Sequence, residues 1–342
     1  MALHVVYRSC GGENRKDRPP YYSKLLCLVS FLRALEAVDA DVVFVNDGPV
    51  PADRLRLMRA AGEVVQLPGV GMRGSYRSSL DLATSGRFDR RDVVWFSEDD
   101  YLYVPGALEG LLAAAAAVPE ADYFALYATI RPLPLTTPDG RPTPHRPAGW
   151  WDVPPWLVGE QQWTRIRSTT STFGARVGAL TEDAGIFRLC MLPHRTRLRD
   201  HDTCLVLQGF EPYSYRRLGR DAVGLASGTA RQRAQSAAMA PFLLATNLRA
   251  LRRPARRRLM LAARPNLACH LESARLAPGT DWGAVAGQTL AWGRQRGLLD
   301  LAGAEPAGGA PRVTRAPGTP PPPRASGRRR RTAASGSPAS SG

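Results

Sequence analysis

The sequence predicts an α/β fold, a mostly parallel sheet with helices on both faces. Three observations carry this. In the first 130 residues, short β-branched runs alternate with stretches whose apolar residues recur at three- and four-residue steps. The runs DVVFV (41–45) and DVVWF (92–96) are apolar almost throughout, as strands covered on both faces are. Turn-forming residues follow them, such as Asn46-Asp47-Gly48-Pro49.

In chain order, 4–7 is the first strand and 22–38 the first helix, with Leu25, Leu28, Val29, Leu32 and Leu35 at helical spacing. Residues 41–45 are the second strand, 51–61 a short helix and 63–67 the third strand. A helix over 75–85 leads to the fourth strand, 92–96. Proline is harmless at a first helical position, so Pro105 opens a helix to Ala117, followed by a fifth strand at 123–127.

Beyond Thr129 the texture changes. Eight prolines between Pro132 and Trp156 exclude regular helix or central strand. Trp150, Trp151, Trp156 and Trp163 are too many aromatic residues for a solvent linker. The segment is expected to be an ordered loop, with Trp150, Trp151 and Trp156 covering a cleft; core packing is the alternative. Residues 168–178 return to a strand and turn, and 181–187 form a short helix. Another helix begins at Asp202, and 231–263 is helical in propensity with breaks at Pro241 and Pro254. From Gly303 the composition of Gly, Pro, Ala, Ser and Arg predicts disorder.

With 342 residues, 44% of them hydrophobic, the chain can bury one large core or two small ones and is neither collagen nor coiled coil. The net charge of +16 invites a nucleic-acid reading, but of 46 basic residues only Lys16 and Lys24 are lysine. That bias fits a GC-rich coding sequence as well as a selected surface. Seven arginines and no acid lie beyond residue 310, so the preceding body carries +9. Five scattered cysteines without a CxxC pair read as buried thiols in a reducing compartment. With no leader-like start and no apolar stretch of spanning length, the expected location is cytoplasmic.

Ligands of open parallel sheets bind beyond the carboxyl ends of the strands. The sharpest polar cluster there is Ser97-Glu98-Asp99-Asp100. Adjacent carboxylates repel and ask for a cation, so the turn is either a Mg²⁺ or Mn²⁺ site or a solvated helix-capping turn. Asp47 is a ribose or base contact, or a turn residue. Gly11-Gly12 matches neither a dinucleotide fingerprint nor a phosphate-binding P-loop. His201, between Asp200 and Asp202, is a base or part of a capping cluster. His270 follows an apolar run and is a satisfied core residue or a ligand.

Laid in order, these pieces resemble the sugar-nucleotide-dependent glycosyltransferases of the GT-A fold, closest to the family 2 group. Val43-Phe-Val-Asn-Asp-Gly48 is similar to that group's nucleotide turn. Val93-Val-Trp-Phe-Ser-Glu-Asp-Asp100, with Pro105 after it, is similar to its metal-binding D-x-D. Residues 171–175 look like its small-residue strand, and Asp200-His-Asp-Thr-Cys-Leu-Val-Leu-Gln-Gly209 is similar to the acidic motif before its helix. The match covers roughly residues 3 to 210. Glu98 and Asn46 replace acidic residues of the family, and the Q-x-x-R-W signature of its processive members is not found.

The resemblance implies a GT-A type (nucleotide-diphospho-sugar transferase) fold. Residues 1–130 would be the nucleotide-sugar half, 131–302 the acceptor half and C-terminal helices, and 303–342 the tail. Arg8, Ser9, Asn46, Asp47 and Asp99 would hold the donor; Glu98 and Asp100 would hold Mn²⁺ or Mg²⁺. By analogy with relatives of the fold, His270 would join that metal. Asp202, or failing that Asp200, would be the base, with His201 between them. The expected reaction is inverting, single transfer from a nucleoside diphosphate sugar to an unknown hydroxyl acceptor. A nucleotidyltransferase and a non-enzymatic basic scaffold or nucleic-acid-binding protein are the rivals. The arginines of 249–258 would face an anionic acceptor or the inner face of the membrane; no nucleic-acid reader motif accompanies them.

Overall fold

A computed structural model describes residues 1–13, 16–128, 154–192, 198–225, 228–253 and 257–299. The first part folds as β1 (Leu3–Cys10), α1 (Lys24–Leu35), β2 (Ala40–Asp47), α2 (Ala52–Ala61), β3 (Glu63–Leu67), α3 (Gly71–Ala83) and β4 (Val93–Glu98). β5 (Tyr101–Tyr103), α4 (Ala107–Ala117) and β6 (Ala121–Ala125) follow. Then come β7 (Trp156–Val158), β8 (Gln161–Arg165), β9 (Phe173–Arg176), α5 (Val177–Cys190), α6 (Asp200–Leu207) and α7 (Tyr215–Ala222). The last elements are α8 (Ala230–Leu251), β10 (Leu259–Arg264), β11 (Ala268–His270) and α9 (Trp282–Gln295).

Nine described strands form one sheet in the order β3-β2-β1-β4-β9-β6-β10-β8-β7. Among them only β9 and β8 run against the rest, so the sheet is mostly parallel, as expected. Successive side chains of a strand point to opposite faces. Val5 and Tyr7 of β1 therefore join Phe31, Phe44 and Trp95 in the core under α1, α4 and α9. Val6 joins Val43, Phe96 and Ile186 under α3, α5 and α6. Helices cover both faces, and the carboxyl ends of β1, β2 and β4 are left for polar groups.

The second half departs from expectation in several places. Residues 259–264 are not helix but the buried strand β10, between β6 and β8. Leu-Met-Leu-Ala-Ala favours helix in isolation, and burial on both faces overrides that weak preference. Pro241 does not end α8, which continues through it to Leu251 with the proline on an exposed position. Trp163 is wholly buried on β8, and Trp156, on the edge strand β7, donates to Glu120 before β6, at the amino end of the sheet. That removes Trp156 from any cleft beside Asp100. Trp150, Trp151, most of the proline-rich segment and the tail lie outside the described residues. The expected basic surface also shrinks. Arg253 and Arg258 turn inward onto Asp183, at 2.7 and 2.8 Å, and Arg258 also reaches Glu182 and Asp122. Among the described residues no helix is long and apolar enough to cross a membrane.

One unforeseen feature positions the site. After the acidic turn the chain re-enters a two-stranded ribbon, β5 with β11, in which Tyr101 lies opposite His270. The ribbon carries a residue from late in the chain to the end of β4.

Candidate functional site

β4 delivers Glu98 to the carboxyl edge of the sheet, and the three carboxylates of the turn then diverge. Glu98 is the register partner of Arg8 on β1, and the Arg8 guanidinium pairs with its carboxylate. Arg8 also lies over the Tyr76 ring, 5.7 Å from its centre. Asp99 turns toward the chain between β1 and α1. It accepts the Cys10 backbone N–H at 2.9 Å and pairs with the Lys24 ammonium at 3.0 Å, with Arg54 at 3.9 Å. Burial pushes the Asp99 pKa up, and the Lys24 charge and the amide only partly oppose it. Lys24 is itself buried and donates to the carbonyls of Cys10 and Gly12 at 3.1 and 2.6 Å. Its charge ties the strand-to-helix connection to the acidic turn.

Asp100 is buried, and one oxygen does most of its bonding. Oδ2 lies 2.9 Å from Arg18 Nη2, 3.0 Å from His270 Nε2 and 3.5 Å from Lys16 Nζ. Burial raises the Asp100 pKa, but the His270 hydrogen bond and the charges of His270, Lys16 and Arg18 win and hold it well below the usual carboxylate range. His270 stacks on Tyr101 with ring centres 5.1 Å apart. Its Nε2 is also 3.0 Å from Lys16 Nζ, so it donates to Asp100 or accepts from Lys16, one at a time.

The expected metal set is assembled only in part. Asp100 and His270 do meet, but Glu98 is held by Arg8 and does not join them. Three nitrogens already crowd Asp100 Oδ2. Mg²⁺ and Mn²⁺ favour several oxygen ligands in near-octahedral array. Among the described residues no group of three His, Cys, Asp or Glu side chains could hold a metal ion. Glu98, Asp100 and His270 as arranged do not fit a divalent ion.

A second carboxylate group stands at the start of α6, where Asp200 is close enough to feel the charges of Glu98 and Arg8. Arg199 precedes it with φ 51°, the one described non-glycine residue in the left-handed region. Its guanidinium fixes that backbone by donating to the Cys190 and Leu189 carbonyls at 2.8 and 2.9 Å. The turn separates the two candidate bases. Asp202 accepts the Tyr213 hydroxyl hydrogen and lies 3.6 Å from Arg199 Nη1. No hydrogen bond or ion pair to the Asp200 carboxylate is found among the described residues. Burial and then the Glu98 charge push the Asp200 pKa up to about 7, with Arg8 opposing. Asp200 lines a small pocket with Tyr76, Thr169, Thr170 and Thr203. His201 keeps an exposed surface, while crowding by the protein and then the Arg167 charge lower its pKa.

The remaining expected donor contacts are mixed. Both Asp47 oxygens accept backbone N–H groups, from Val70 at 2.6 Å and Gly71 at 2.7 Å, so this residue anchors the start of α3. Ser9 and Asn46 are register partners, and Ser9 Oγ and both polar atoms of the Asn46 side chain are buried without a protein partner. Gly11 is required by packing: a Cβ there would lie 2.0 Å from the Pro49 carbonyl oxygen. Gly11 therefore has a structural cause that a phosphate loop does not need to supply, whereas a Cβ at Gly12 would meet nothing within 4 Å. Sequence reasoning passed over Lys16, Arg18, Lys24 and Arg54. One signal was present: the only two lysines of the chain both stand on this acidic turn.

No protein-family model matches the chain, and no curated protein matches its sequence. Among solved structures, similarity is found to a fragment (1–349) of S. aureus TarS in complex with UDP-GlcNAc. That match has 14% identity and a TM-score of 0.36, covering 60% of this chain and 52% of that one. The same fragment in complex with UDP gives 14% identity and a TM-score of 0.38 over 70% of this chain and 71% of that one. The apo-form glycosyltransferase GlyE of Streptococcus pneumoniae TIGR4 gives 11% and 0.36 over 87% of this chain and 64% of that one. The chain thus spans about half of the first of these. At such distances its activity has to be argued from its own residues.

Proposed function

We propose that this chain transfers a sugar from a nucleoside diphosphate sugar to an acceptor hydroxyl, with inversion and in single steps. The observation that carries the proposal is that two differently partnered carboxylate groups stand near the Arg8–Glu98 pair. Asp99 and Asp100 gather cations, while Asp200 has no hydrogen-bond or ion-pair partner among the described residues, its pKa pushed up to about 7. A general base works best with a pKa near the operating pH. Asp200 takes the acceptor proton while the acceptor oxygen forms its bond to the anomeric carbon. The bond from that carbon to the diphosphate breaks on the opposite face, and its electron pair leaves with the diphosphate. Asp202, first in line by sequence, is committed to Tyr213 and Arg199 and acts here as a positioning residue. Ser9 and Asn46, with unmet hydrogen-bonding capacity at the ends of β1 and β2, are proposed to face the nucleoside, and Arg8 to sit between donor and base.

A panel of nucleotide sugars in a thermal-shift assay tests the reading, followed by product analysis with simple hydroxyl acceptors. Selective stabilisation by one nucleoside class and a product of inverted anomeric configuration are expected. Stabilisation by nucleoside triphosphates with release of pyrophosphate would instead make the chain a nucleotidyltransferase.

A further inference from the structure

We infer that Lys16, steadied by Asp100, His270 and Arg18, takes the place of a divalent cation and binds the donor's diphosphate directly, so that transfer is independent of metal. The inference rests on the sugar-nucleotide reading and adds how the diphosphate is held. Three observations lead to it. The carboxylates that would share a metal are parted, Glu98 onto Arg8 and Asp100 onto Arg18, Lys16 and His270. The cations are arranged at the acidic turn by the chain itself. Arg18 is braced by the Leu271 carbonyl at 2.5 Å and lies over the Tyr22 ring at 4.4 Å, so it is a fixed part of the wall. Lys16 is different. Its side chain is 36% exposed, and its ammonium stands 3.5 Å from Asp100 and 3.7 Å from Glu272. It is the cation at this turn that an entering anion can reach.

Residue type supports the assignment. In a chain whose basic residues are otherwise all arginine, the two lysines stand on neighbouring carboxylates of one turn. An ammonium is a compact charge with rotatable donors, able to keep Asp100 while bonding a phosphate oxygen; a planar guanidinium is less able to serve both. As the anomeric bond breaks, negative charge grows on the leaving diphosphate, and a fixed cation offsets it there as a metal would. Lys24 is excluded from this role, since it is buried and spent on Asp99 and two carbonyls.

The test is calorimetric titration of pyrophosphate, UDP and GDP at physiological salt, each with a chelator and with Mn²⁺. It uses the full chain, the variants Lys16→Gln and Lys16→Arg, and Arg217→Ala as a control for general basicity. Melting temperatures verify that each variant is folded. Wild type should bind pyrophosphate equally in chelator and in Mn²⁺. Lys16→Gln should weaken binding by about tenfold or more, the usual worth of a hydrogen bond to a charged group. Lys16→Arg should recover part of the loss, and the control should lose nothing. Binding that needs Mn²⁺, or that is the same in wild type and Lys16→Gln, overturns the inference. If pyrophosphate binds in chelator through Lys16 while neither nucleotide binds better than pyrophosphate does, the metal-free diphosphate contact at Lys16 stands and the sugar-nucleotide reading falls.

Discussion

Two carboxylates a hundred residues apart in sequence, Asp100 just beyond Glu98 in the chain and Asp200 close enough to feel the Glu98 charge, have been pushed in opposite directions. Asp100 is buried among cations and is held charged well below the usual carboxylate range. Asp200 is crowded by protein and by Glu98, has no hydrogen-bond donor of its own among the described residues, and rises to about 7. Burial acts on both with the same sign; the donors decide the outcome. A carboxylate ringed by donors is an anchor and a poor proton acceptor. One kept without them can take a proton near neutral pH. On the proposed reading, the contrast separates holding the donor from activating the acceptor.

The largest expected effect comes from removing the group that moves the proton. Asp200→Asn should lower turnover by about 10² to 10⁴, the usual worth of a general base. Nucleotide affinity should change little, and stability should hold or rise because an unpaired buried charge is gone. Turnover rates and calorimetric affinities for wild type and variant check this. A loss of affinity with unchanged turnover would exchange the roles of the two carboxylates.

On the anchoring side the largest effect should appear in stability. Lys24→Met leaves Asp99 buried without its ammonium partner, and losing one member of a buried pair costs about 3 to 5 kcal/mol. Adding Asp99→Asn should recover much of that, because the stranded charge is removed. Urea denaturation of both single variants and the double variant measures the coupling. Equal, additive losses would mean that Lys24 does not act through Asp99.

The two carboxylates should also answer pH with opposite signs. Asp200 is raised in the fold, so the stability linked to it is full below the unfolded value of about 4 and is lost as pH climbs toward about 7. Asp100 is depressed, so its contribution is full above the ordinary carboxylate range and is lost only as pH falls beneath it. Turnover should rise about tenfold per unit below pH 7 and level off above it, since the base must be unprotonated. Melting temperatures of wild type and Asp200→Asn between about pH 2 and pH 8 decide the sign. The variant should lack the decline toward neutral pH and keep the acid loss.

How much of this was written in the sequence follows the same division. The strands of the first half were legible because apolar runs such as Val93-Val-Trp-Phe96 are buried on both faces, and the turns after them mark the sheet's carboxyl edge. Asp100 could be singled out by its position there, and His270 beside it through the resemblance alone, but Lys16 and Arg18 could not. His270 reaches it through a three-residue ribbon whose pairing is set by tertiary packing. Lys16 and Arg18 belong to an irregular connection with no period to detect. β10 was missed because its Leu, Met and Ala favour helix until both faces are covered. At the start of α6 the spacing of Asp200 and Asp202 was plain, yet the choice between them depends on Tyr213. That residue arrives from beyond the helix and carries no mark in the sequence.

The smallest expected effect bears on that choice. Tyr213 gives its hydroxyl hydrogen to Asp202, while its backbone N–H and carbonyl are held by Asn247 at 3.1 and 2.7 Å. The ring will therefore stay in place when the hydroxyl is removed. Tyr213→Phe deletes one hydrogen bond to a charged group, a loss of about 1.5 to 3 kcal/mol when such a group is well buried. Asp202 keeps some contact with solvent and with Arg199, so about 1 kcal/mol is the better expectation. If Asp200 is the base, turnover should change by less than about threefold, and the rise toward pH 7 should stay where it is. If Asp202 is the base, the lost donor raises its pKa. The rise in turnover then moves to higher pH in Tyr213→Phe and is untouched in Asp200→Asn. Setting the two pH–rate curves side by side assigns the proton to one carboxylate, whatever the size of the stability change.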